Sequence, residues 1–267
     1  MSTHLDTILA TTRATVAASK EQVAVDELER RAALHQPRGW ARALRKRSRT
    51  APAIIAELKR ASPSRGLIRD DFDVSWLAQR YEAGGAAALS VLTDAPYFQG
   101  SLRNLELASA AVPLPCLRKD FMVDEYQIVE ARAHWGDAIL LIAAALSDQE
   151  MGHFIGTAHD LELDVLCEVH SSHELDRVLA LAEPPDAIGV NNRDLRTFEV
   201  RLETSLELAD RIPSTMVRVT ESGISTAADL ARLRAADFNA FLIGESLMRQ
   251  PDPAIALEGL LASAVKI

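Results

Sequence analysis

Residues 138–169 read AILLIAAALSDQEMGHFIGTAHDLELDVLCEV, and this stretch decides the fold. It holds two short apolar runs, starting near Ala138 and Leu163, with a mixed polar and apolar segment at 148–162 between them. Both runs are apolar almost throughout, which is typical of parallel strands that are covered on both faces. The segment between them has helical periodicity, and Asp148 at its start fits an N-cap. The stretch therefore predicts a strand–helix–strand unit.

The same unit recurs along the rest of the chain. Strand followed by helix, eight times over, predicts the α/β class and a (β/α)8 TIM barrel. A doubly wound open sheet is the structural competitor, but no Gly-x-Gly-x-x-Gly turn follows the first apolar run. The other helical segments lie at 73–85, 101–112, 124–136, 171–183, 201–212, 226–238 and 252–264. The apolar runs begin near Ala53, Ala86, Pro115, Ala138, Leu163, Ala187, Met216 and Ala240.

The length of the chain fits one domain. With 267 residues, 48% of them hydrophobic, it can bury one substantial core, as barrels of about 250 residues do. We predict a single TIM-barrel domain over 1–267, with an N-terminal helical extension at 1–50 and the barrel at 51–267. Residues 3–34 read as one additional helix. The basic side chains between 42 and 49 are interpreted as a solvated connecting segment, with attraction of an anionic substrate as the alternative.

Charge and hydropathy exclude several functional classes. The net charge of −9 argues against a nucleic-acid or membrane-surface role, because both polyanions repel an acidic protein. No signal peptide and no long apolar run is found, so we expect a cytoplasmic protein. His153, His159, His170 and His173 lack metal-ligand spacing and are predicted to be surface or capping residues, without a metal.

Polar residues interrupt the apolar runs at their carboxyl ends, where barrel enzymes carry their chemistry. Strand alternation places Glu57 and Lys59 on one face, directed to the barrel axis if their apolar neighbours pack outward. Buried charges need partners, so several of them at one barrel mouth favour a polar active site over a structural role. The other candidates at strand ends are Lys119, Glu168, Asn191 and Glu221.

Lys119 is the central candidate. Its segment could simply be a charged loop, but the carboxylates and second lysine at the other strand ends favour a functional role. A lysine near other cations, or partly desolvated, has its pKa lowered and becomes a usable proton donor near neutral pH. We therefore expect a lowered pKa for Lys119.

The last two predicted strands end in residues suited to an anion. Glycines there let backbone N–H groups approach a phosphate, which barrels often bind with the loops after the seventh and eighth strands. Ordinary turns are the alternative interpretation of the same glycines. The residues concerned are Ser222 and Gly223 in one loop and Gly244 and Glu245 in the other.

Six ordered motifs between about residue 50 and 250 resemble those of the indole-3-glycerol-phosphate synthase family. They are IAELKRASPS at 55–64, LRKDF at 117–121, DEYQ at 124–127, CEVH at 167–170, GVNNRDL at 189–195 and ESGI at 221–224. The resemblance implies decarboxylating and dehydrating ring closure of 1-(2-carboxyphenylamino)-1-deoxyribulose 5-phosphate to indole-3-glycerol phosphate, a step of tryptophan biosynthesis. It implies no cofactor.

The resemblance also implies catalytic roles. Lys119 would be the general acid for ring closure, Lys59 would reach the substrate carboxylate or phosphate, and Glu57 would orient it. How acid and base work divides among Lys119, Lys59, Glu57 and Glu168 stays open at this point. Glu168 would transfer a proton during dehydration, and Asn191 and Glu221 would hold the ribulose hydroxyls.

Substrate-binding residues follow from the same resemblance. The chain departs from the commonest pattern at Glu245, where a serine often follows the glycine; we expect Glu245 to point away and leave only its backbone N–H for phosphate. The positions matched to phosphate are Ser62, Arg193, Ser222, Gly223 and Gly244. Those matched to an apolar slot for the anthranilate ring are Pro63, Phe98, Phe121, Ile142 and Leu195.

Other functions remain as alternatives. Another phosphate-binding barrel, such as phosphoribosylanthranilate isomerase, would need a cysteine and aspartate acid–base pair, which we cannot place. A Schiff-base aldolase would need a nucleophilic lysine, and a catalytically silent binding protein would not need the intact charged set. As partners we expect a small phosphorylated substrate, no nucleic acid, no membrane, and a monomer or weak homo-oligomer, with loose association with other tryptophan-pathway enzymes left open.

Overall fold

The computed structural model of the protein, which describes residues 4–194 and 197–264, contains a closed parallel barrel of eight strands. The predicted (β/α)8 TIM barrel is confirmed, and each barrel strand begins within two residues of its predicted start. The barrel closes in the order β1-β10-β9-β8-β7-β6-β5-β4, and a small antiparallel pair, β2-β3, lies outside it. The strands are β1 Ala53–Leu58, β2 Ala61–Ser62, β3 Gly66–Leu67, β4 Ala88–Leu92, β5 Cys116–Lys119, β6 Ala138–Ile142, β7 Asp164–Val169, β8 Ala187–Asn191, β9 Val217–Glu221 and β10 Ala240–Ile243.

Helices follow the barrel strands and cover the outside of the barrel. They bury one face each against the outward-pointing strand residues. Their bounds are α1 His4–Gln22, α2 Val25–Ala32, α3 Trp40–Ser48, α4 Val74–Ala83, α5 Ala95–Phe98, α6 Leu102–Ala111, α7 Tyr126–Ala133, α8 Asp148–Asp160, α9 Ser172–Leu179, α10 Glu203–Leu208, α11 Ala227–Ala235, α12 Glu245–Met248 and α13 Pro253–Ala264, with a 3-10 turn at Ala209–Arg211 after α10.

The start of α8 differs from the prediction by one residue. Ser147, and not Asp148, is the N-cap: its hydroxyl accepts from the backbone N–H of Glu150. The Glu150 carboxylate accepts in return from the Ser147 N–H at 2.8 Å, which completes a capping box. Asp148 instead receives a hydrogen bond from Arg177 of α9.

The barrel interior is apolar at the amino ends of the strands. Alternate strand residues, such as Ile55, Leu117, Leu166 and Val219, form one inner cluster, while their neighbours pack outward against the helices. Because inward and outward residues alternate, the last inward residue of most strands lies at the carboxyl end of the barrel, which forms its open mouth. The sequence expectation that Glu57 and Lys59 share the inward face is consistent with this arrangement.

The N-terminal extension consists of three helices, not one, and α3 forms the floor of the barrel. Trp40 and Leu44 of α3 are fully buried in the inner cluster. The basic side chains at 42, 45, 46 and 49 are exposed, as predicted for a solvated segment, but residues 42–48 belong to a packed helix and not to a connecting loop. Arg45 donates to the carbonyls of Asp186 and Thr215, just before β8 and β9, so α3 lies at the end opposite the mouth. That position also argues against attraction of a substrate by this basic run.

Asp137 fastens the extension to the barrel. Its fully buried carboxylate, just before β6, accepts from the backbone and side chain of Arg38 and from the N–H of Cys116. Burial alone would raise the pKa of Asp137, but His35 and Arg38 outweigh it and hold the pKa below its usual value.

Among residues 4–194 and 197–264, no helix is long and apolar enough to span a bilayer.

We predict that Trp40→Ala destabilises the protein by about 3 to 5 kcal/mol, the usual cost of emptying a buried aromatic site. Urea unfolding of wild type and variant measures the difference. Trp76→Ala on α4 is the control, because Trp76 is 38% exposed and should cost far less. Equal losses for the two variants would contradict a floor role for Trp40.

Candidate active site

One cavity of about 540 Å³ opens at the carboxyl ends of the barrel strands. Every predicted site residue within the described chain lines it; Leu195 lies outside the described residues. The cavity wall thus includes the predicted catalytic set of Glu57, Lys59, Lys119, Glu168, Asn191 and Glu221. It also includes the predicted binding set of Ser62, Pro63, Phe98, Phe121, Ile142, Arg193, Ser222, Gly223, Gly244 and Glu245.

Glu57 and Lys59 form an ion pair at the end of β1. The Lys59 Nζ contacts Glu57 Oε1, and Glu57 is only 3% exposed. Gly244, at the end of the neighbouring strand β10, makes room for this carboxylate: a Cβ there would fall within 3.0 Å of Glu57 Oε1. The glycine that the sequence assigned to phosphate binding is thus also required by the packing of Glu57.

Lys119 lies among carboxylates at the end of β5. Its Nζ is 3.3 Å from Glu168 Oε2 and 3.5 Å from Glu221 Oε2. Burial alone would lower the pKa of Lys119, but Glu168, Glu221 and Glu57 outweigh it and raise the pKa above its ordinary value. The expected lowering is therefore wrong, because the nearest charges are carboxylates and the second cation, Lys59, is paired with Glu57.

Arg118 explains how Lys119 comes to face the axis. Its side chain points to the opposite side of β5, where it donates to the Gln127 carbonyl and forms ion pairs with Asp120 and Glu130. These buried contacts fix the strand end between barrel and α7. Strand alternation then directs Lys119 inward.

Glu168 and Glu221 have opposite protonation tendencies. Burial raises the pKa of Glu221 to about 8, although Lys119 opposes the rise. Burial also acts on Glu168, but there Lys119 and His170 dominate and hold the pKa below its ordinary value. The ionised form is thus favoured for Glu168 and the protonated form for Glu221, on either side of one ammonium group.

The Glu221 side chain needs a glycine beside it. A Cβ at Gly189 on β8 would fall within 3.0 Å of Glu221 Oε1, and Leu166 closes the same space from β7. Glu221 is 2% exposed, and its Oε1 has no hydrogen-bond partner among the residues that the structure describes. That oxygen is shielded from solvent and packs over the backbone of Gly189.

The far end of the cavity carries the residues predicted for phosphate. Ser222 and Gly223 follow β9 with left-handed backbone, φ 65° and 82°, in a tight turn. Glu245 is among the lining residues, and its carboxylate is engaged by Arg65 at 3.2 Å and Arg249 at 3.1 Å. These two guanidinium groups were not foreseen from the sequence.

Apolar side chains cover the other end. Phe98 and Phe121 lie 6.4 Å apart between ring centroids, near Ile142. Sequence reasoning missed the roof, to which α1 contributes His4, Leu5 and Ile8, and the loop after β8 contributes Phe198. The apolar periodicity of α1 signalled a packed helix, but not which end of the barrel it covers.

His170 was also missed. It was predicted to be a surface or capping residue, but its side chain is 12% exposed and lies between Glu168 and Glu174. A usable signal existed, because residues two apart at the end of a strand share a face. Among the described residues no group of three or more His, Cys, Asp or Glu side chains is arranged to hold a metal ion.

Comparisons with known proteins give a family. The family model described as indole-3-glycerol phosphate synthase matches residues 5–260. A curated protein of that name from Koribacter versatilis is 54% identical over 261 residues, covering 98% of this chain and all of the relative. Another of that name from Burkholderia vietnamiensis is 49% identical over 258 residues, covering 96% of this chain and 98% of the relative.

A solved structure supports the fold alone. The thiamine phosphate pyrophosphorylase of Pyrococcus furiosus is 14% identical, with a TM-score of 0.59, and the match covers 82% of this chain and 98% of that one. At 14% identity this similarity shows the barrel fold and nothing about activity.

We predict that Gly189→Ala lowers kcat/KM by roughly 10- to 100-fold, because displacing Glu221 by even 1 Å disturbs the Lys119 site. Steady-state kinetics measures the loss. Gly152→Ala on α8 is the matched control: no atom lies within 4 Å of its new methyl group, so activity should hold and stability rise by about 0.5 to 1 kcal/mol. Full activity of Gly189→Ala would show that Glu221 tolerates displacement.

Proposed function

This chain belongs to the indole-3-glycerol phosphate synthase family, and on that premise we propose which of its side chains perform the reaction. The enzyme is a carboxy-lyase of tryptophan biosynthesis that closes 1-(2-carboxyphenylamino)-1-deoxyribulose 5-phosphate to indole-3-glycerol phosphate, losing carbon dioxide and water. The observation that carries the assignment of roles is the position of the Lys119 ammonium, 3.3 Å from the Glu168 carboxyl group and 3.5 Å from that of Glu221.

Lys119 is the general acid of ring closure. The aromatic carbon that bears the carboxylate attacks the ribulose carbonyl, and negative charge develops on the carbonyl oxygen. An alkoxide is a stronger base than an amine, so an ammonium with a raised pKa still protonates it. The raised pKa keeps the proton in place until that charge forms.

The same protonation disfavours the aldolase alternative. A Schiff base forms only from a neutral amine, which enzymes obtain by lowering the pKa of the lysine. The acidic groups around Lys119, Glu168 foremost, hold it in the charged form, and Lys59 is engaged by Glu57. Neither lysine is arranged as a nucleophile.

Lys59 binds the substrate carboxylate, and Glu57 orients it. The ammonium of Lys59 lies at the mouth, where a carboxylate of the substrate can share it with Glu57. Once carbon dioxide leaves, Lys59 is paired with Glu57 alone. Lys59 is the alternative to Lys119 as general acid for part of the reaction.

Glu168 accepts the proton that leaves during dehydration. It is ionised at neutral pH and buried, so it can take up a proton without competition from bulk water. Glu221, in its protonated form, and Asn191, its partner in register on β8, bind the ribulose hydroxyls. Protonation of Glu221 also keeps a further negative charge away from an anionic substrate.

Substrate orientation follows from the two ends of the cavity. We assign the phosphate to the end formed by Ser62, Arg193, Ser222, Gly223 and Gly244, and the anthranilate ring to the slot at Pro63, Phe98, Phe121 and Ile142. We further propose a single domain over 1–267, a cytoplasmic location, and a monomer or weak homo-oligomer that acts without a cofactor. Loose association with other tryptophan-pathway enzymes is part of the same proposal.

We expect purified protein to convert the anthranilate deoxyribulose phosphate to a product with indole fluorescence, without added metal or cofactor. Continuous fluorescence, with mass spectrometry of the product, measures it. Borohydride treatment with substrate is the control for an aldolase and should trap no lysine adduct. Absence of product at saturating substrate would contradict the catalytic assignment.

We predict that Lys119→Met lowers kcat by at least ~10²-fold, the scale of general-acid catalysis, with little change in substrate binding. Lys119→Arg is the matched variant: it keeps the positive charge but holds its proton too tightly to act as an acid. Both variants should therefore lose kcat. Recovery of activity in Lys119→Arg would instead assign Lys119 to charge stabilisation alone.

A further inference from the structure

The Glu168 carboxylate is held from two sides by different cations. Its Oε2 faces Lys119 Nζ at 3.3 Å, and its Oε1 faces His170 Nε2 at 3.3 Å. Lys119 is assigned to the reaction, but no role has yet been given to His170. A buried carboxylate with one cation on each oxygen has a fixed orientation and a stabilised charge.

His170 has a second carboxylate partner. Its Nδ1 is 3.2 Å from Glu174 Oε2 on α9, and the same oxygen accepts from the His170 backbone N–H at 2.8 Å. Ser171 donates to the other oxygen of Glu174 and caps α9. Glu174 therefore has its own fixed position, tied to the first turn of that helix.

Both ring nitrogens of His170 face carboxylate oxygens, and carboxylates only accept. A neutral imidazole carries one hydrogen and would leave one nitrogen lone pair against an oxygen, whereas the imidazolium supplies a hydrogen to both. The Nε2 contact with Glu168 is not aligned as a hydrogen bond, so that contact acts through charge. Because a carboxylate lies at each ring nitrogen, this geometry favours the charged form.

We propose that His170 is a positioning residue for the reaction: its imidazolium bridges Glu168 to Glu174 and holds the Glu168 carboxylate ionised and turned toward Lys119. This rests on the proposed role of Glu168 in proton transfer. Negative and positive charges alternate along a row of side chains that runs from the start of α9 to the barrel axis: Glu174, His170, Glu168 and Lys119.

The protonation of His170 agrees with the geometry. Burial alone would lower its pKa, but Glu168 and Glu174 outweigh it and raise the pKa to about 10. Other charged groups line the same cleft as His170 and also act on the pKa of its imidazole. They are Asp194, Glu199, Arg201 and Glu207.

We expect His170→Gln to lower kcat by roughly 10-fold with KM within about twofold, since only a proton-transfer group is affected. Without the imidazolium, the pKa of Glu168 rises, so the acidic limb of the kcat–pH profile should move to higher pH by about one unit. His153→Gln is the matched control, because His153 also pairs with a glutamate, Glu125, at 2.8 Å but is exposed on α8. It should keep both kcat and the profile.

Glu174→Gln separates charge from structure. It keeps one acceptor oxygen for His170 and places the amide NH2 beside the Ser171 hydroxyl, which can accept from it, but it removes the negative charge, so the imidazolium acts on Glu168 undiminished. The acidic limb should then stay in place or move to lower pH, opposite to His170→Gln. If both variants instead lose kcat and melting temperature together, with no shift of the limb, His170 is structural and the proposal is overturned.

Two further measurements keep the outcome decisive. Histidine ¹⁵N spectra of wild-type protein at pH 7 should show His170 doubly protonated, and a neutral ring would overturn the proposal even if the variant failed to fold. Glu168→Gln tests the underlying role separately. Full activity there would refute the role of Glu168 itself, whereas an inactive Glu168→Gln beside a fully active His170→Gln would refute only the role of His170.

Discussion

The structure depends on how a lysine ammonium is held, largely removed from water, at the axis of the barrel. Moving an ion out of water costs several kcal/mol, and only close, well-placed counter-charges offset that cost. Lys119 has two carboxylates within 3.5 Å, but full ionisation of both would leave excess negative charge in a site for an anionic substrate. Opposite pKa shifts ease this conflict: burial raises the pKa of Glu221, while Lys119 and His170 hold the pKa of Glu168 below its ordinary value.

Neighbouring strands must give these side chains space. The carboxylates of Glu57 and Glu221 extend sideways over adjacent strands, at Gly244 and Gly189, where any side chain would occupy the same volume. The charged layer at the mouth rests on apolar inner layers, with Trp40 sealing the far end. Stability thus comes from the amino ends of the strands, and the carboxyl ends are left free for chemistry.

Much of the fold and of the placement of the site residues could be predicted from the sequence, because both depend on local patterns. Apolar runs gave the strand starts, and period-two alternation gave the inward direction of Glu57 and Lys59. The protonation states could not be predicted, since they depend on distances between side chains of different strands: the carboxylates and the second lysine were expected near Lys119, but not that the carboxylates would dominate and raise its pKa. The positions of α1 and α3 were missed for the same reason, as amphipathic periodicity shows that a helix packs, not where.

The charge arrangement also limits the chemistry that this barrel can perform. The roof from α1 and the buried walls reduce contact with water, which strengthens every electrostatic interaction inside the cavity. In such a site an amine surrounded by carboxylates stays protonated and cannot attack a carbonyl, but it stabilises and protonates an oxygen on which negative charge develops. The carboxylates that make Lys119 a poor nucleophile therefore make it a retained proton donor, and a barrel with the same lysine but without Glu168 and Glu221 would favour Schiff-base chemistry instead.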